Sequence, residues 1–173
     1  MNRIVRMLVT TVLALLLWPE FGRYRAEWMM AEANNQLDRV LRGVDRGTEA
    51  QHGIEQARNL AHLARLQLPT DSRAPLLEAV ALILGRQGAA AIQVLDAAIA
   101  QGERPELTIN LGRARGISGD EKGATAAFLR TAWANPGAIS TLPAAMRAPL
   151  LDQVTSLEAE LRAGRMMEPP PLN

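Results

Sequence analysis

The chain has 173 residues, 48% of them hydrophobic and only 3% aromatic, with no cysteine and a formal net charge of +1 at pH 7. Without cysteine, a thiolate nucleophile and a zinc–thiolate site are excluded. A net charge this close to zero, with no basic stripe interleaved with aromatic residues, gives no field that would attract nucleic acid. The many Ala, Leu, Arg, Glu and Gln residues favour helix over sheet, so we expect one small all-α domain without strands.

The first 22 residues contain an apolar run, residues 7–18, that follows Arg3 and Arg6. The run is apolar on every face, whereas a helix that packs on a protein core keeps one polar side. We therefore predict a signal-anchor or transmembrane helix over residues 1–22. The side chains that we assign to this membrane anchor are Leu8, Val12, Leu15, Leu16 and Trp18.

Removal of this helix would require a signal peptidase site, which has small residues a few positions past the apolar run. Residues 19–25 offer no well-placed small residue, and the first Ala-x-Ala pattern, at residues 31–33, lies too far along the chain. We therefore expect an uncleaved anchor, with a cleaved and released protein as the alternative.

The predicted span is short, because residues 4–18 reach about 22 Å at ~1.5 Å per residue, against a hydrocarbon core of roughly 30 Å. The difference can be covered if Arg3 and Arg6 extend toward the head groups and the helix continues, with Trp18, Tyr24 and Trp28 at the interface. Positive charge lies before the span and is balanced after it, so we expect a single-pass bacterial inner-membrane protein with a cytoplasmic N-terminus and a periplasmic remainder.

Residues 23–48 are predicted to form a helix that connects the anchor to the rest of the chain. Its apolar residues recur near helical spacing. They are Trp28, Met29, Ala33, Leu37, Val40, Leu41 and Val44.

Small and apolar residues then recur with a period of about 34 residues, which is the length of one helix-turn-helix repeat. Blocks 71–104 and 105–138 align Ala90 with Ala124 and Val94 with Phe128, and Ala57 precedes Ala90 at a similar interval. An alternative alignment of the second block, one residue later, uses Ala91 and Leu95 instead; we prefer the 34-residue period because Leu77, Gly85 and Gly102 also keep it. Block 37–70 is degenerate.

The third block carries the clearest turn signals. Gly119 is predicted to end one helix and Asp120 to cap the next, while Gly123 and Ala124 allow close approach and Phe128 fills the space beside them. This punctuation, with Asn135 and Pro136 after the second helix, resembles the tetratricopeptide repeat (TPR) family, whose repeats have small residues where two helices cross and a proline after the second.

The resemblance implies a short α-solenoid of TPR-like helical hairpins over residues 49–138, behind the N-terminal anchor; a generic helical bundle is the alternative. It also implies partner binding on a concave face lined by the first helix of each hairpin. The expected partner-binding residues are Leu82, Ile83, Ile109, Asn110, Arg113 and Ile117. Each of the apolar four has the alternative of packing inside the repeats.

After Pro136 the repeat pattern stops, and residues 139–164 are predicted to contain a helix that caps the last repeat. Its apolar face is Leu150, Leu151, Val154, Leu157 and Leu161, and Gly164 is predicted to close it. For the proline-rich tail, residues 165–173, we expect disorder, with docking on an aromatic groove as the alternative.

No feature of the sequence indicates catalysis. His52 and His62 would lie about 15 Å apart on a helix, too far to share a metal ion, and no catalytic or phosphate-binding motif occurs. We expect no enzyme activity, cofactor, metal or small-molecule substrate. The sequence favours a membrane-anchored scaffold that supports assembly of a cell-envelope complex; the alternatives are an integral structural subunit of such a complex and a soluble periplasmic binding protein.

Overall fold

The computed structural model describes residues 3–165 and 168–172, without the side chains of residues 4–6, 8–10 and 13–19. All regular secondary structure in this part of the chain is helical, which confirms the all-α prediction. The chain divides into two compact units, residues 1–77 and 78–173, rather than the one domain expected from its length.

Eight α-helices and two short 3-10 segments make up the described structure. They are α1 (Arg3–Leu41), α2 (Thr48–Gln67), α3 (Arg73–Leu84), α4 (Gly88–Gln101), α5 (Pro105–Ile117), α6 (Glu121–Ala134), the first 3-10 segment (Pro136–Thr141), α7 (Ala144–Arg147), the second 3-10 segment (Ala148–Leu150) and α8 (Leu151–Arg162).

The first unit is built on the pairing of α1 with α2. One face of α1 is buried through Ala26, Met29, Met30, Ala33 and Leu37. The facing residues of α2 are small, so that the two backbones approach closely. They are Gly53, Ala57, Ala61 and Ala64. This pairing buries apolar surface that neither helix could bury alone.

The turn between α1 and α2 is held by an ion pair between Arg39 and Asp45. Arg39 Nε donates to Asp45 Oδ2 at 2.9 Å and Nη2 donates to Oδ1 at 2.7 Å. Gly43 and Gly47, on either side of Asp45, have φ angles of 70° and 57°, which L side chains rarely adopt. Asp45 is buried and the Arg39 side chain is half exposed, so this bidentate pair fixes the chain reversal at the edge of the unit.

The α5–α6 hairpin lies in the second unit and has the turn that the sequence predicts. Gly119 has a φ of 81° just after α5, and Asp120 caps α6 by accepting a hydrogen bond from the Gly123 N–H at 2.9 Å. The capping prediction for Asp120 is therefore confirmed. Gly112 lies against the ring of Phe128 where the two helices cross.

The α4 helix packs on the other side of α5. Its first residue, Gly88, lies so close to α5 that a Cβ there would be 2.8 Å from the carbonyl oxygen of Ala114. Leu95 of α4 and Leu107 and Leu111 of α5 are fully buried. A glycine at the start of α4 therefore sets the distance between these helices.

The register of the second block differs from our preferred alignment. Ala91 and Leu95 are fully buried, whereas Ala90 and Val94 are half-buried, so the later alignment is correct and the 34-residue match of Ala90 with Ala124 is wrong. The buried positions of α2, α4 and α6 then correspond at intervals of 34 and 33 residues. They are Ala57, Ala61 and Ala64; Ala91, Leu95 and Ala98; and Ala124, Phe128 and Thr131.

The preferred alignment of the second block fails because of the turn between α3 and α4. The left-handed residue there is Arg86, with a φ of 57°, and it corresponds to Gly119 at an interval of 33 residues. Our preferred alignment matches Gly85 with Gly119. It therefore places the left-handed residue of this turn one position before Arg86, where the structure has it. A non-glycine residue in this conformation is uncommon, so the sequence contains no signal for it.

The C-terminal elements close the second unit against α6. Leu150, Val154 and Leu157 pack with Phe128 and Ala132 in one apolar cluster. Gly164 has a φ of 67°, and its N–H and that of Arg165 donate to the carbonyls of Leu161 and Glu160 at 3.0 Å, as in a Schellman motif.

The capping helix predicted within residues 139–164 is α8, which begins at Leu151. Leu151 does not belong to its packed face, because its side chain is 52% exposed. At about 100° per residue, Leu151 lies about 120° around α8 from Leu157, which puts it at the edge of the packed face.

Candidate partner-binding surfaces

An aromatic stripe, Phe21, Tyr24 and Trp28, lies on the exposed face of α1. These side chains are 68%, 72% and 56% exposed, and their spacing of three and four residues puts them on one side of the helix. They lie opposite the face that Ala26 and Met29 bury against the rest of the first unit. Exposed aromatic side chains grouped in this way are typical of an interaction surface or a membrane interface.

The membrane-anchor residues precede this stripe on the same helix. The side chains of Leu8, Leu15, Leu16 and Trp18 lie outside the described residues, and Val12 is exposed. Within the described part of the chain, no helix is both long enough and apolar enough to cross a membrane.

A second exposed apolar surface lies on α2. Leu63 and Leu66 are 45% and 66% exposed and face away from the buried Ala61 and Ala64. Leu41 and Val44, at the end of α1 and in the turn that follows, are also exposed. The first unit therefore presents apolar side chains outside its own core on both helices of the hairpin.

Between α1 and the start of α3, the first unit has an open groove of about 360 Å³. Arg73 spans it with bonds from Nη1 and Nη2 to the carboxylate of Glu27 at 3.1 and 2.5 Å, and it also pairs with Asp71. These hydrogen bonds raise the pKa of Arg73. The charge of Arg73, which lines this groove, is therefore paired with carboxylates of the same unit.

The predicted concave residues divide into buried and half-buried sets. Leu82, Ile109 and Asn110 are buried, and Ile83, Arg113 and Ile117 are half-buried. Ile109 belongs to the apolar core that includes Phe128. Its side chain therefore contributes to the packing of the second unit.

Asn110 and Arg113 join α5 to the first 3-10 segment. Asn110 Nδ2 donates to the carbonyl of Glu106 at 2.7 Å, Arg113 Nη1 donates to Asn110 Oδ1 at 3.0 Å, and Arg113 Nη2 donates to Thr141 Oγ1 at 3.1 Å. Burial lowers the pKa of Arg113. The structure thus brings Ile109, Asn110 and Arg113 together on α5 and uses the two polar side chains for local structure.

Residues of α5 and α6 form a surface that contacts the C-terminal residues, and no sequence pattern indicates it. Arg130 of α6 donates from Nη1 to the carbonyl of Pro170 at 2.9 Å, and its Nε and Nη2 donate to the two carboxylate oxygens of Glu103, each at 2.5 Å. These hydrogen bonds lower the pKa of Glu103. The Arg130 guanidinium also lies 6.0 Å from the ring centroid of Trp133.

Arg115 of α5 completes this surface. Its Nη1 donates to the carbonyl of Gly123 at 3.2 Å and to the carbonyl of Leu172. In the sequence, the triple proline of the tail is the signal of an interaction in this region. Arg130 and Arg115 lie 40 and 57 residues from the tail residues that they bind, so no local pattern identifies them as partners.

Comparison with known proteins gives no relative from which a site could be transferred. No family model matches the chain, and neither the curated proteins nor the solved structures contain a match. The likeness to tetratricopeptide repeats therefore rests on the residues quoted above.

Proposed function

We propose that this protein is a non-catalytic adaptor that is attached to a membrane through α1 and binds a protein partner through its helical hairpins, so that it supports assembly of a cell-envelope complex. The observation that carries the proposal is the course of α1. The helix contains the apolar run of residues 7–18, then the exposed aromatic stripe, and then the face that packs on α2.

The order of these features along α1 fits a helix that leaves a bilayer. Trp18 and Trp28 are separated by about 15 Å of helix, at ~1.5 Å per residue, which is comparable to the depth of a head-group region. Tryptophan and tyrosine concentrate at that depth because their rings are apolar and their N–H or O–H groups are polar. Phe21 and Tyr24 would then face lipid while the opposite side of the helix stays in contact with the protein.

The orientation that we propose places the N-terminus in the cytoplasm and the hairpins in the periplasm of a bacterial inner membrane. Arg3 and Arg6 lie before the apolar run, whereas Arg23 and Arg25 after it are balanced by Glu20 and Glu27. An excess of Arg and Lys on one side of a span sets its cytoplasmic side.

Partner binding by the hairpins is supported by two features. Buried residues, most of them alanine, recur on α2, α4 and α6 at intervals of 34 and 33 residues, as in TPR-like solenoids, which are built to present an extended surface. Leu63 and Leu66 of α2 are exposed on the outer face of the first hairpin. Apolar surface outside a core marks a site of protein contact.

These same exposed leucines favour one alternative, an integral structural subunit that is permanently buried in a membrane complex. The two functions differ in what happens to the isolated protein. An adaptor is stable when purified alone, whereas a permanent subunit precipitates or loses helical content once it is separated from its neighbours.

The experiment that tests partner binding compares native complexes from detergent-solubilised membranes. We expect Leu63→Asp with Leu66→Asp to shift the protein from a large complex to its own size on a native gel, with unchanged membrane retention and circular dichroism. The matched control is Glu55→Gln with Glu49→Gln, two exposed positions on α2. A complex that survives the leucine changes, or wild-type protein that migrates alone, would refute the proposed partner surface.

A further inference from the structure

The tail segment, Glu168–Leu172, lies in the second unit, and part of it is in contact with the surface of that unit. Pro169, Pro170 and Leu172 are half-buried, whereas Glu168 and Pro171 are exposed. Consecutive prolines fix φ near that of polyproline II and have no N–H, so Pro169, Pro170 and Pro171 donate no backbone hydrogen bonds. The carbonyl oxygens of the segment are therefore free to accept bonds from a surface.

Arg130 is held in position to make one of these bonds. Two of its donors are taken by Glu103 in a bidentate pair, which fixes the plane of the guanidinium and directs Nη1 to the carbonyl of Pro170. Arg130 and Glu103 are only 18% and 33% exposed at their side chains. A planar guanidinium that is already held by two hydrogen bonds loses little side-chain freedom when it binds a further acceptor.

Arg115 makes the second bond, to the carbonyl of Leu172, two residues beyond Pro170. Its position is set by the bond from the same Nη1 to the Gly123 carbonyl at the start of α6. The two arginines thus bind backbone carbonyls at i and i+2 of an extended chain. They contact the backbone rather than side chains, so any extended segment that runs in the same direction with the same apolar spacing presents equivalent acceptors.

We propose that Arg115, Arg130 and Glu103, which we name the arginine cradle, form a binding site for an extended proline-containing segment of a partner protein. The chain's own tail segment occupies this site in cis and competes with that partner. The proposal rests on the proposed adaptor function for the source of the partner segment. Binding of an extended segment to the arginine cradle is measured with synthetic peptides, and this measurement needs no membrane.

Competition by the tail has a calculable size. A segment joined covalently to the protein that binds it has an effective concentration in the millimolar range. If the docked segment binds with a dissociation constant of about 0.1 mM, the tail weakens binding of an added peptide by about tenfold. Removal of the tail should therefore tighten peptide binding by that factor.

The experiment measures fluorescence anisotropy of a labelled hexapeptide with the sequence of residues 168–173. The proteins are the full chain and a variant that ends at Arg165. We expect the shortened chain to bind the peptide about tenfold more tightly than the full chain, by the same effective-concentration argument. Equal affinity for both chains, or no binding to the shortened chain, would overturn the proposal.

Substitutions of the two arginines test whether the peptide binds at the arginine cradle. In the shortened chain, Arg130→Ala and Arg115→Ala should each abolish measurable binding, whereas Arg162→Ala should leave it unchanged, because Arg162 pairs with Glu158 on α8. A peptide of the same composition in reversed order tests geometry without altering the protein, and we expect it not to bind. Binding that survives either arginine change, or that is equal for the reversed peptide, would contradict the cradle.

If the shortened chain loses helical content, the comparison is made with full-length Pro170→Gly with Leu172→Ser, which should release the tail without shortening the chain. The same about tenfold tightening is expected there. None of these changes alters α1, so membrane retention should be unaffected, and failure of the cradle and failure of the proposed membrane adaptor give different results.

Discussion

The ring of Phe128 occupies the space that a side chain at residue 112 would fill, since a Cβ on Gly112 would lie 2.5 Å from Phe128 Cδ1. Phe128 is buried in the apolar core of the second unit and cannot turn toward solvent. Gly112 thus allows α5 and α6 to cross at a distance that no larger residue permits.

Gly112→Ala should destabilise the second unit by about 1–3 kcal/mol, because the added methyl group displaces the Phe128 ring. The matched control is Gly116→Ala on the same helix, where a Cβ would have its nearest contacts at 4.0 Å, with Ala124 Cβ and Met146 Cε. There the helix gains the usual benefit of alanine over glycine, about 0.5–1 kcal/mol. Urea unfolding of the two variants should change in opposite directions, and an equal effect of both would contradict the crossing geometry.

A pair of buried threonines joins the same two helices. Thr108 Oγ1 and Thr131 Oγ1 lie 2.8 Å apart, and Thr131 Oγ1 donates to the carbonyl of Ala127 at 2.9 Å. Thr108→Val and Thr131→Val should each cost about 1 kcal/mol of unfolding free energy, and the double variant less than the sum, since both single changes remove the same Thr108–Thr131 hydrogen bond. The control is Thr125→Val, a half-buried site on α6. Strict additivity of the two changes would show that the hydroxyl pair is unimportant.

The stability of the first unit should depend on pH through Asp45. The hydrogen bonds from Arg39 hold the pKa of Asp45 below its ordinary value of 3.8, despite the burial that would raise it. A carboxyl whose pKa is lowered by folding contributes stability that is fully present above its unfolded value and is lost as pH falls through its folded value.

Asp45→Asn should therefore lower the melting temperature at neutral pH, and the difference from wild type should shrink toward zero in acid, below the unfolded pKa near 3.8. Thermal unfolding followed from about pH 7 to about pH 2 measures this dependence. Asp38→Asn is the control, because Asp38 pairs with Arg42 on the exposed side of α1. A difference for Asp45→Asn that stays constant through acid would contradict the role of the ion pair.

The aromatic stripe should lie at the depth of lipid head groups. With Trp28 as the sole tryptophan, after Trp18→Phe and Trp133→Phe, lipids brominated near the head group should quench its fluorescence more strongly than lipids brominated near the chain ends. The control protein keeps Trp133 alone, which lies in the second unit and should be unaffected by either lipid. Quenching of Trp28 by acrylamide but by neither lipid would place the stripe in water.

The parts of the fold that follow from local chemistry could be read from the sequence. Gly119, Asp120 and Gly164 each act within a few residues, through a left-handed φ angle or a capping bond, and the structure has them as predicted. The register of the second hairpin could not be read in this way, since it depends on a left-handed Arg86, a conformation that residue type does not signal.

The candidate site was harder to predict because its contacts are distant in sequence. Ile109 looks like a groove residue from its helical position, yet it belongs to the core, since C-terminal residues such as Leu142 and Leu150 cover it. Arg115 and Arg130 read as ordinary solvated charges. Only the three-dimensional position of the tail brings them to a common acceptor chain.

Attachment of the full chain to a membrane by α1 is tested most directly by its mass and location after alkaline carbonate extraction of bacterial membranes. We expect the full mass of 18.8 kDa in the carbonate-resistant pellet, with the hairpins digested by protease added to spheroplasts. Recovery in the soluble fraction, or a mass that lacks the N-terminal apolar run, would contradict attachment by α1.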